Sequence, residues 1–239
     1  MVFTKIQERQ VRKQLKRHNR PSGEREIILG KGKKLKLFIQ RGVFGSDIMS
    51  SGMHLARFLF ENQKLYKNKV VLDMGCGPGT QGLVMAKFGA KSTNLADISS
   101  VAIQNAKQNI QELRVRNAKA IESDLFSKIP NKRYDVIVFN QPYFSGNHQK
   151  FSGDPNRDPN LRKSMLGGTK LIHKFLKQVP NFLKKDGILI MSYFHFAGPE
   201  NNPTNHVAKY GFKIIKEDNF NSRKGLQKGN MSIYVFFKK

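Results

Sequence analysis

The sequence predicts an α/β fold with a mostly parallel sheet, and three observations carry that expectation. From Lys69 onward, strand-like apolar runs alternate with helical segments, the rhythm of β-α units. Between two of these runs, Val101, Ala102, Asn105, Ala106, Asn109, Ile110 and Leu113 recur at helical spacing behind Ser99, which suits an N-cap. The chain closes on two strand-like runs joined by a polar, Gly-containing loop, the pattern of an antiparallel edge pair.

In order, strands are predicted at 70–74, 92–96, 118–121, 134–139 and 188–194, then at 211–216 and 231–237, seven in all. No internal repeat is visible. A chain of 239 residues can bury one good core, so a single domain over 42–239 is expected behind an N-terminal extension at 1–41. That extension is the most basic block, with Arg9, Arg12, Lys13, Lys16, Arg17, Arg20, Lys31, Lys33, Lys34 and Arg41. Val2, Ile6, Val11 and Leu15 could mark a helical stripe ending before Pro21, and Leu35, Leu37 and Ile39 alternate as in a strand. A solvated arm and a formed RNA-binding element both fit this block.

Charge narrows the partner. The chain has 43 Lys+Arg against 17 Asp+Glu, a formal net charge of +26, which repels itself unless a polyanion neutralises it. A nucleic acid is the expected partner, and charge alone does not choose RNA over DNA. Cys76 is the only cysteine, which excludes an intrachain disulfide and a thiolate zinc cluster. No metal and no membrane partner are expected. The start lacks an apolar signal segment and no run approaches the roughly 20 apolar residues of a membrane span, so a cytoplasmic location is expected.

Two stretches carry chemistry. After the first strand comes Asp73-Met74-Gly75-Cys76-Gly77-Pro78-Gly79-Thr80, with glycines at every second position where a side chain would block a ligand at the strands' carboxyl ends. Asp97 ends the second strand, where a carboxylate can accept both hydrogens of a ribose diol, and no P-loop Lys-Ser/Thr follows the glycines. The fourth strand runs into Asn140-Gln141-Pro142-Tyr143, again at a carboxyl end.

Together these stretches resemble the S-adenosylmethionine (SAM)-dependent methyltransferases with a Rossmann-like, doubly wound fold, over about residues 40–239. The resemblance implies a seven-stranded sheet ending in a reversed hairpin, and SAM as cofactor. It implies that Asp73 and Gly75, Cys76, Gly77 and Gly79 hold the methionine end, that Asp97 with Ile98 holds the ribose side, and that Asp124 with Leu125 lies by the adenine. A helix N-cap is the plain alternative for Asp124. Cys76 reads as a small filler of the loop, not a nucleophile.

Asn140 to Tyr143 resembles the Asn-Pro-Pro-Tyr motif of enzymes that methylate amide or aromatic exocyclic nitrogens, with Gln141 in place of the first proline. Such a nitrogen is a weak nucleophile because its lone pair is delocalised, so it must be oriented by acceptors. By resemblance, Asn140 Oδ1 and the carbonyl of Gln141 accept the two N–H hydrogens, while Tyr143 or Phe144 stacks on the planar group. Asn140 is also expected beside the cofactor. Gln141 keeps the carbonyl, and Pro142 after it keeps the backbone extended. An ordinary strand-ending turn is the plain alternative.

Upstream, Arg41-Gly42-Val43-Phe44-Gly45-Ser46-Asp47-Ile48-Met49-Ser50-Ser51-Gly52 resembles the Gly-Val-Phe and Asp-Ser elements before the SAM loop in the small-methyltransferase subgroup, which holds ribosomal RNA guanine methyltransferases and glutamine methyltransferases of release factors and ribosomal proteins. Phe44 could pack over the cofactor or staple its strand to the core. His148 and Arg157 lie in a long polar stretch after Phe144 that could clamp substrate or simply be solvated. His173 and His195 read as structural. The first expectation is thus an N-methyltransferase acting on an exocyclic amine of guanine or adenine in ribosomal or transfer RNA. The others are a glutamine methyltransferase of a ribosomal protein or release factor, a DNA adenine methyltransferase, and a non-catalytic SAM-fold RNA-binding protein.

Overall fold

A computed structural model describes residues 20–45, 50–143, 167–222 and 229–239. The element order is β1 (Gly23–Gly30), β2 (Lys33–Ile39), α1 (Ser50–Glu61), β3 (Val70–Met74), α2 (Thr80–Lys87), β4 (Ser92–Asp97), α3 (Ser100–Glu112), β5 (Ala118–Glu122), β6 (Tyr134–Phe139), α4 (Gly168–Phe182), β7 (Leu183–Phe194), β8 (Phe212–Ser222) and β9 (Gly229–Lys238). The seven-stranded sheet runs β5-β4-β3-β6-β7-β9-β8. β5, β4, β3, β6 and β7 pair in parallel, and β9 pairs antiparallel with both β7 and β8. This is the expected Rossmann-like sheet with its reversed hairpin. Strand order reverses between β3 and β6, so a crevice opens at their carboxyl ends.

Alternation along the central strands fills two cores. Val71, Val136, Val138 and Ile190 face Leu55 and Phe58 of α1, Leu83 and Val84 of α2, and Ile103 and Ala106 of α3. Leu72, Ile137, Phe139, Leu189 and Met191 face Ile172, Phe175, Leu176 and Val179 of α4. Each fully buried side chain of this size contributes roughly 1.5–3 kcal/mol.

Half of the basic N-terminal block is a hairpin. β1 and β2 pair antiparallel and bury Ile27, Leu29, Leu35, Leu37 and Ile39 in the same core as α1 to α3. Two fully buried asparagines of α3 hold it there. Asn105 Oδ1 accepts from Gln40 N–H (3.0 Å) and its Nδ2 donates to Phe38 O (2.8 Å); Asn109 Oδ1 accepts from Phe38 N–H (2.8 Å). Asn109 Nδ2 also donates to Phe38 O and Pro78 O, both at 2.9 Å, and so ties the hairpin to the glycine loop. Ser99 caps α3 as expected, accepting from Ala102 N–H at 3.4 Å. The apolar stripe expected at Val2 to Leu15, the residues Ser46 to Met49, and Phe144, His148 and Arg157 lie outside the described residues. No described helix is long and apolar enough to cross a membrane.

Candidate active site

A cavity of about 250 Å³ opens where the loops after β3, β4, β5 and β6 converge. Among the expected residues, Gly75, Cys76, Gly77, Asp97, Ile98, Asp124, Leu125, Asn140 and Pro142 line it. The hairpin side contributes Phe44, which lines the cavity and also packs against the α4-side core.

The glycine loop is shaped by close approach. Gly77 has φ +54°, and a Cβ there would sit 3.1 Å from Phe44 O, so the loop and the 42–45 segment can touch only without a side chain. Gly79, at φ +93°, caps α2 and would drive a Cβ to 2.8 Å from Leu95; it sits behind the cavity wall and shapes it from there.

Asp97 organises the loop as well as facing the cavity. Its Oδ2 accepts from Gly77 N–H and its Oδ1 from Ser99 N–H, both at 2.9 Å, and a carboxylate oxygen accepts more than one hydrogen bond. Beside it Ile98 leaves 42 % of its surface exposed, an apolar wall at the mouth. Leu125, opposite, is held at φ +49°, a strained conformation of the kind that clusters at ligand sites.

Asp73, expected to hold the methionine end of SAM, lies one layer deeper. It is buried, does not line the cavity, and accepts from Gly82 N–H of α2 at 2.7 Å. Burial pushes its carboxyl up to about 7, aided by the nearby Asp97 charge and opposed by the Gly82 bond. The raised value means that the protonated acid favours the fold. This contribution is full below about pH 4 and is lost as pH rises through about 7. The ligand-free chain is therefore expected to lose thermal stability over that window, and Asp73→Asn, followed by Tm against pH, should remove that part of the slope. A bound cation would reverse the effect, so SAM affinity should rise across the same window in the native chain and not in the variant.

Asp124 starts no helix. Its half-exposed carboxylate pairs with Lys174 of α4 at 2.7 Å at the cavity edge. Burial raises the Cys76 thiol well above its ordinary range, with Asp97 and Asp73 adding to it, so the sulfur stays protonated and fills space. His195 accepts or donates at Ser232 Oγ (2.7 Å), and His173 does so at the Tyr210 hydroxyl (2.8 Å), as structural residues would. No cluster of three or more metal-ligating side chains occurs among the described residues.

The Asn140 to Tyr143 segment is arranged in an unexpected way. Asn140 and Pro142 line the cavity, whereas Gln141 and Tyr143 are buried behind it. Tyr143, expected to stack on the planar group, instead packs edge-on against Tyr193, and its hydroxyl donates to Asn140 Oδ1 at 2.7 Å. Ser192 of β7, which the sequence did not single out, donates to the same Oδ1 at 2.6 Å, and its oxygen is 2.8 Å from the Tyr143 hydroxyl. Burial lifts the Tyr143 phenol to about 12, so it keeps its proton. Two hydroxyl protons serve three contacts in this triangle, so only two of the three are hydrogen bonds at once. If Ser192 donates to Tyr143, Oδ1 regains a lone pair for an incoming N–H with no hydroxyl left unbonded. The Gln141 side chain, 2 % exposed, has no hydrogen-bond partner for either amide atom among the described residues. This contrasts with the expected role of its backbone carbonyl, which does not require the side chain.

Comparison with known proteins matches residues 34–153 to the family described as Methyltransferase small domain. A Methanocaldococcus jannaschii protein, provisionally described as a protein N5-glutamine methyltransferase, is 35% identical over 159 residues, which is 65% of this chain and 77% of that one. The ribosomal protein L11 methyltransferase of Thermoanaerobacter pseudethanolicus is 26% identical over 70% of this chain and 45% of its own length. Among solved structures, the 16S rRNA guanine-N2 methyltransferase of T. thermophilus, in complex with AdoMet and guanosine, superposes with a TM-score of 0.63 at 15% identity, over 92% of this chain and 51% of that one. This chain thus spans about half the length of the two bacterial proteins.

Proposed function

The chain belongs to the Methyltransferase small domain family and is a SAM-dependent methyltransferase, and from that premise we propose that it methylates the exocyclic amine of a guanine or adenine base in ribosomal or transfer RNA. The cavity suits the cofactor: a glycine loop at Gly75 and Gly77 with no side chain to occupy it, a carboxylate at Asp97, and apolar walls at Ile98 and Leu125. When bound, SAM supplies an electrophilic methyl group on a sulfonium. Gly75, Cys76 and Gly77 would hold its methionine end, Asp97 its ribose hydroxyls, and Asp124 with Leu125 its adenine, while Asp73 and Gly79 brace this loop from behind.

The observation that carries the acceptor class is Asn140, a side-chain amide on the cavity wall with hydroxyls that can release its oxygen. Its Oδ1 and the Gln141 carbonyl would each take one hydrogen of a planar NH2 group, which turns the nitrogen lone pair toward the methyl carbon. Held in this way the nitrogen would face the methyl group that bound SAM supplies, and the proton it gives up on methylation would pass to solvent. Alignment of this kind is worth about 7–11 kcal/mol of barrier. Ser192 and Tyr143 act through Asn140 and are positioning residues. Ser192→Ala is expected to lower kcat by about 3–10-fold, the worth of one neutral hydrogen bond, with KM for SAM unchanged in steady-state assays.

The +26 charge favours RNA as the molecule that presents the base. A second reading, a glutamine side-chain amide on a ribosomal protein or release factor, offers Asn140 the same NH2 geometry. It is favoured by the name given to the M. jannaschii relative. Radiolabelled methyl transfer from SAM into a lysate of source cells lacking the protein separates the two. Label lost to nuclease supports RNA; label lost only to protease overturns it in favour of glutamine.

A further inference from the structure

We infer that the solvent face of α4 is a phosphate-binding surface that guides an RNA strand to the cavity mouth. The inference rests on the reading that RNA is the partner and adds the place on the fold where it lies. α4 packs Ile172, Phe175, Leu176 and Val179 on the sheet and turns Lys170, Lys174 and Lys177 to solvent, at spacings of four and three that share one face. The helix contains no Asp or Glu, as the shorter α2 also does not, whereas α1 ends in Glu61 and α3 in Glu112. Like charges so spaced repel one another, and a helix gains nothing from them unless an anion spans them.

The surface is joined to the active site. Gly167, just before α4, lies close enough to Pro142 that a Cβ would come within 3.2 Å of its ring, Leu171 lines the cavity, and Lys174 is paired with the cavity residue Asp124. From Lys170 to Lys177 the stripe runs roughly 10 Å away from the mouth. Lys128 and Lys209 are exposed on neighbouring segments, and the Lys209 charge reaches His173 of α4. Arg133 and Lys238 stand at the far end, but they donate to Pro180 O and Leu183 O (Arg133) and to Pro180 O (Lys238). The helix terminus thus accounts for them. Lys170 and Lys177 have no ion-pair partner among the described residues, and no packing role explains them.

The experiment compares two double variants of the full chain with equal loss of charge. Lys170→Gln/Lys177→Gln strips the α4 face; Lys87→Gln/Lys107→Gln strips exposed lysines of α2 and α3 on the opposite side of the sheet. Binding to end-labelled ribosomal RNA of the source cell is followed against salt, with SAM affinity and Tm as checks on the fold. The expected result is that the α4 variant lowers the slope of log K against log[salt] by about 1.5, two phosphate contacts' worth, while the other variant leaves it unchanged. Equal flattening by both would reduce the effect to net charge and overturn the surface. An unchanged slope in the α4 variant would place RNA elsewhere and overturn it as well. Absence of salt-dependent RNA binding in the native chain would instead overturn the RNA reading itself, and the surface with it.

Discussion

Asn140→Ala is expected to lower kcat by at least about 100-fold, the usual cost of letting a reacting group drift from alignment, while the Kd for SAM changes far less. The asymmetry follows from the site. Asn140 is one wall residue among many around the cofactor cavity, but it supplies the side-chain acceptor for the nitrogen that must be aimed. Truncation also leaves the Tyr143 and Ser192 hydroxyls with only each other, a pairing that their 2.8 Å separation already permits, so the fold should survive. Single-turnover methyl transfer with saturating SAM, alongside calorimetric SAM binding, reads both quantities. Turnover equal to the native rate would remove Asn140 from the chemistry.

The parts of the molecule that could be read from sequence are those where local residues face a local demand. β3 and β6 are apolar on both faces because both are covered, and their predicted limits, Val70 to Met74 and Tyr134 to Phe139, coincide with the strands. Ser99 is a cap three residues from its donor. The loop glycines advertise positive φ. Where partners are distant or unneeded, the signal fades. β8 continues through Glu217, Asp218 and Asn219 to Ser222 because an edge strand needs backbone partners on one side only, so its polar half gave no apolar pattern. β7 begins at Leu183, which pairs with Tyr134, and the polar Lys184 to Asp186 fall in the register irregularity before Ile188, where no apolar pattern is required. β1 was hidden within the charge of the N-terminal block, although Ile27 and Leu29 are wholly buried.

The site divides in the same way. Gly75, Asp97 and Asn140 stand out because they fall together at the carboxyl ends of three neighbouring strands, inside stretches that resemble known motifs. Ser192 does not, since a serine inside the run Ile188 to Phe194 looks like any half-buried strand residue. Its partner Asn140 is 52 positions away. Asn105 and Asn109 counted as part of a helical stripe, and only the fold shows that they face inward to bond Phe38, 67 and 71 positions earlier. Tyr143 was read from the motif as a stacking ring. Here the ring is enclosed beside Tyr193, and the hydroxyl is what meets the site.

Asp97→Ala is expected to abolish both SAM binding and transfer, and its cause can be separated from simple unfolding. The carboxylate does two things at once: it would receive the ribose hydroxyls, and it holds Gly77 N–H and Ser99 N–H at 2.9 Å. Hydrogen bonds to a charged acceptor are worth about 1.5–3 kcal/mol each, so losing two toward the ligand alone weakens binding by roughly 10²–10⁴-fold. The second loss acts through the loop, because Gly77 released from Asp97 no longer needs the conformation that brings it against Phe44. Asp97→Asn distinguishes these contributions. An amide oxygen can still accept from one backbone N–H, but its NH2 group must then confront the other donor or turn to the cavity, where it cannot accept a hydroxyl hydrogen. Calorimetry should therefore find Asn intermediate between Asp and Ala in SAM affinity, with the Asn variant's Tm closer to the native value. If Asn bound SAM as tightly as the native chain, the carboxylate would have no ribose to hold, and its place in the site would be that of a brace for the glycine loop.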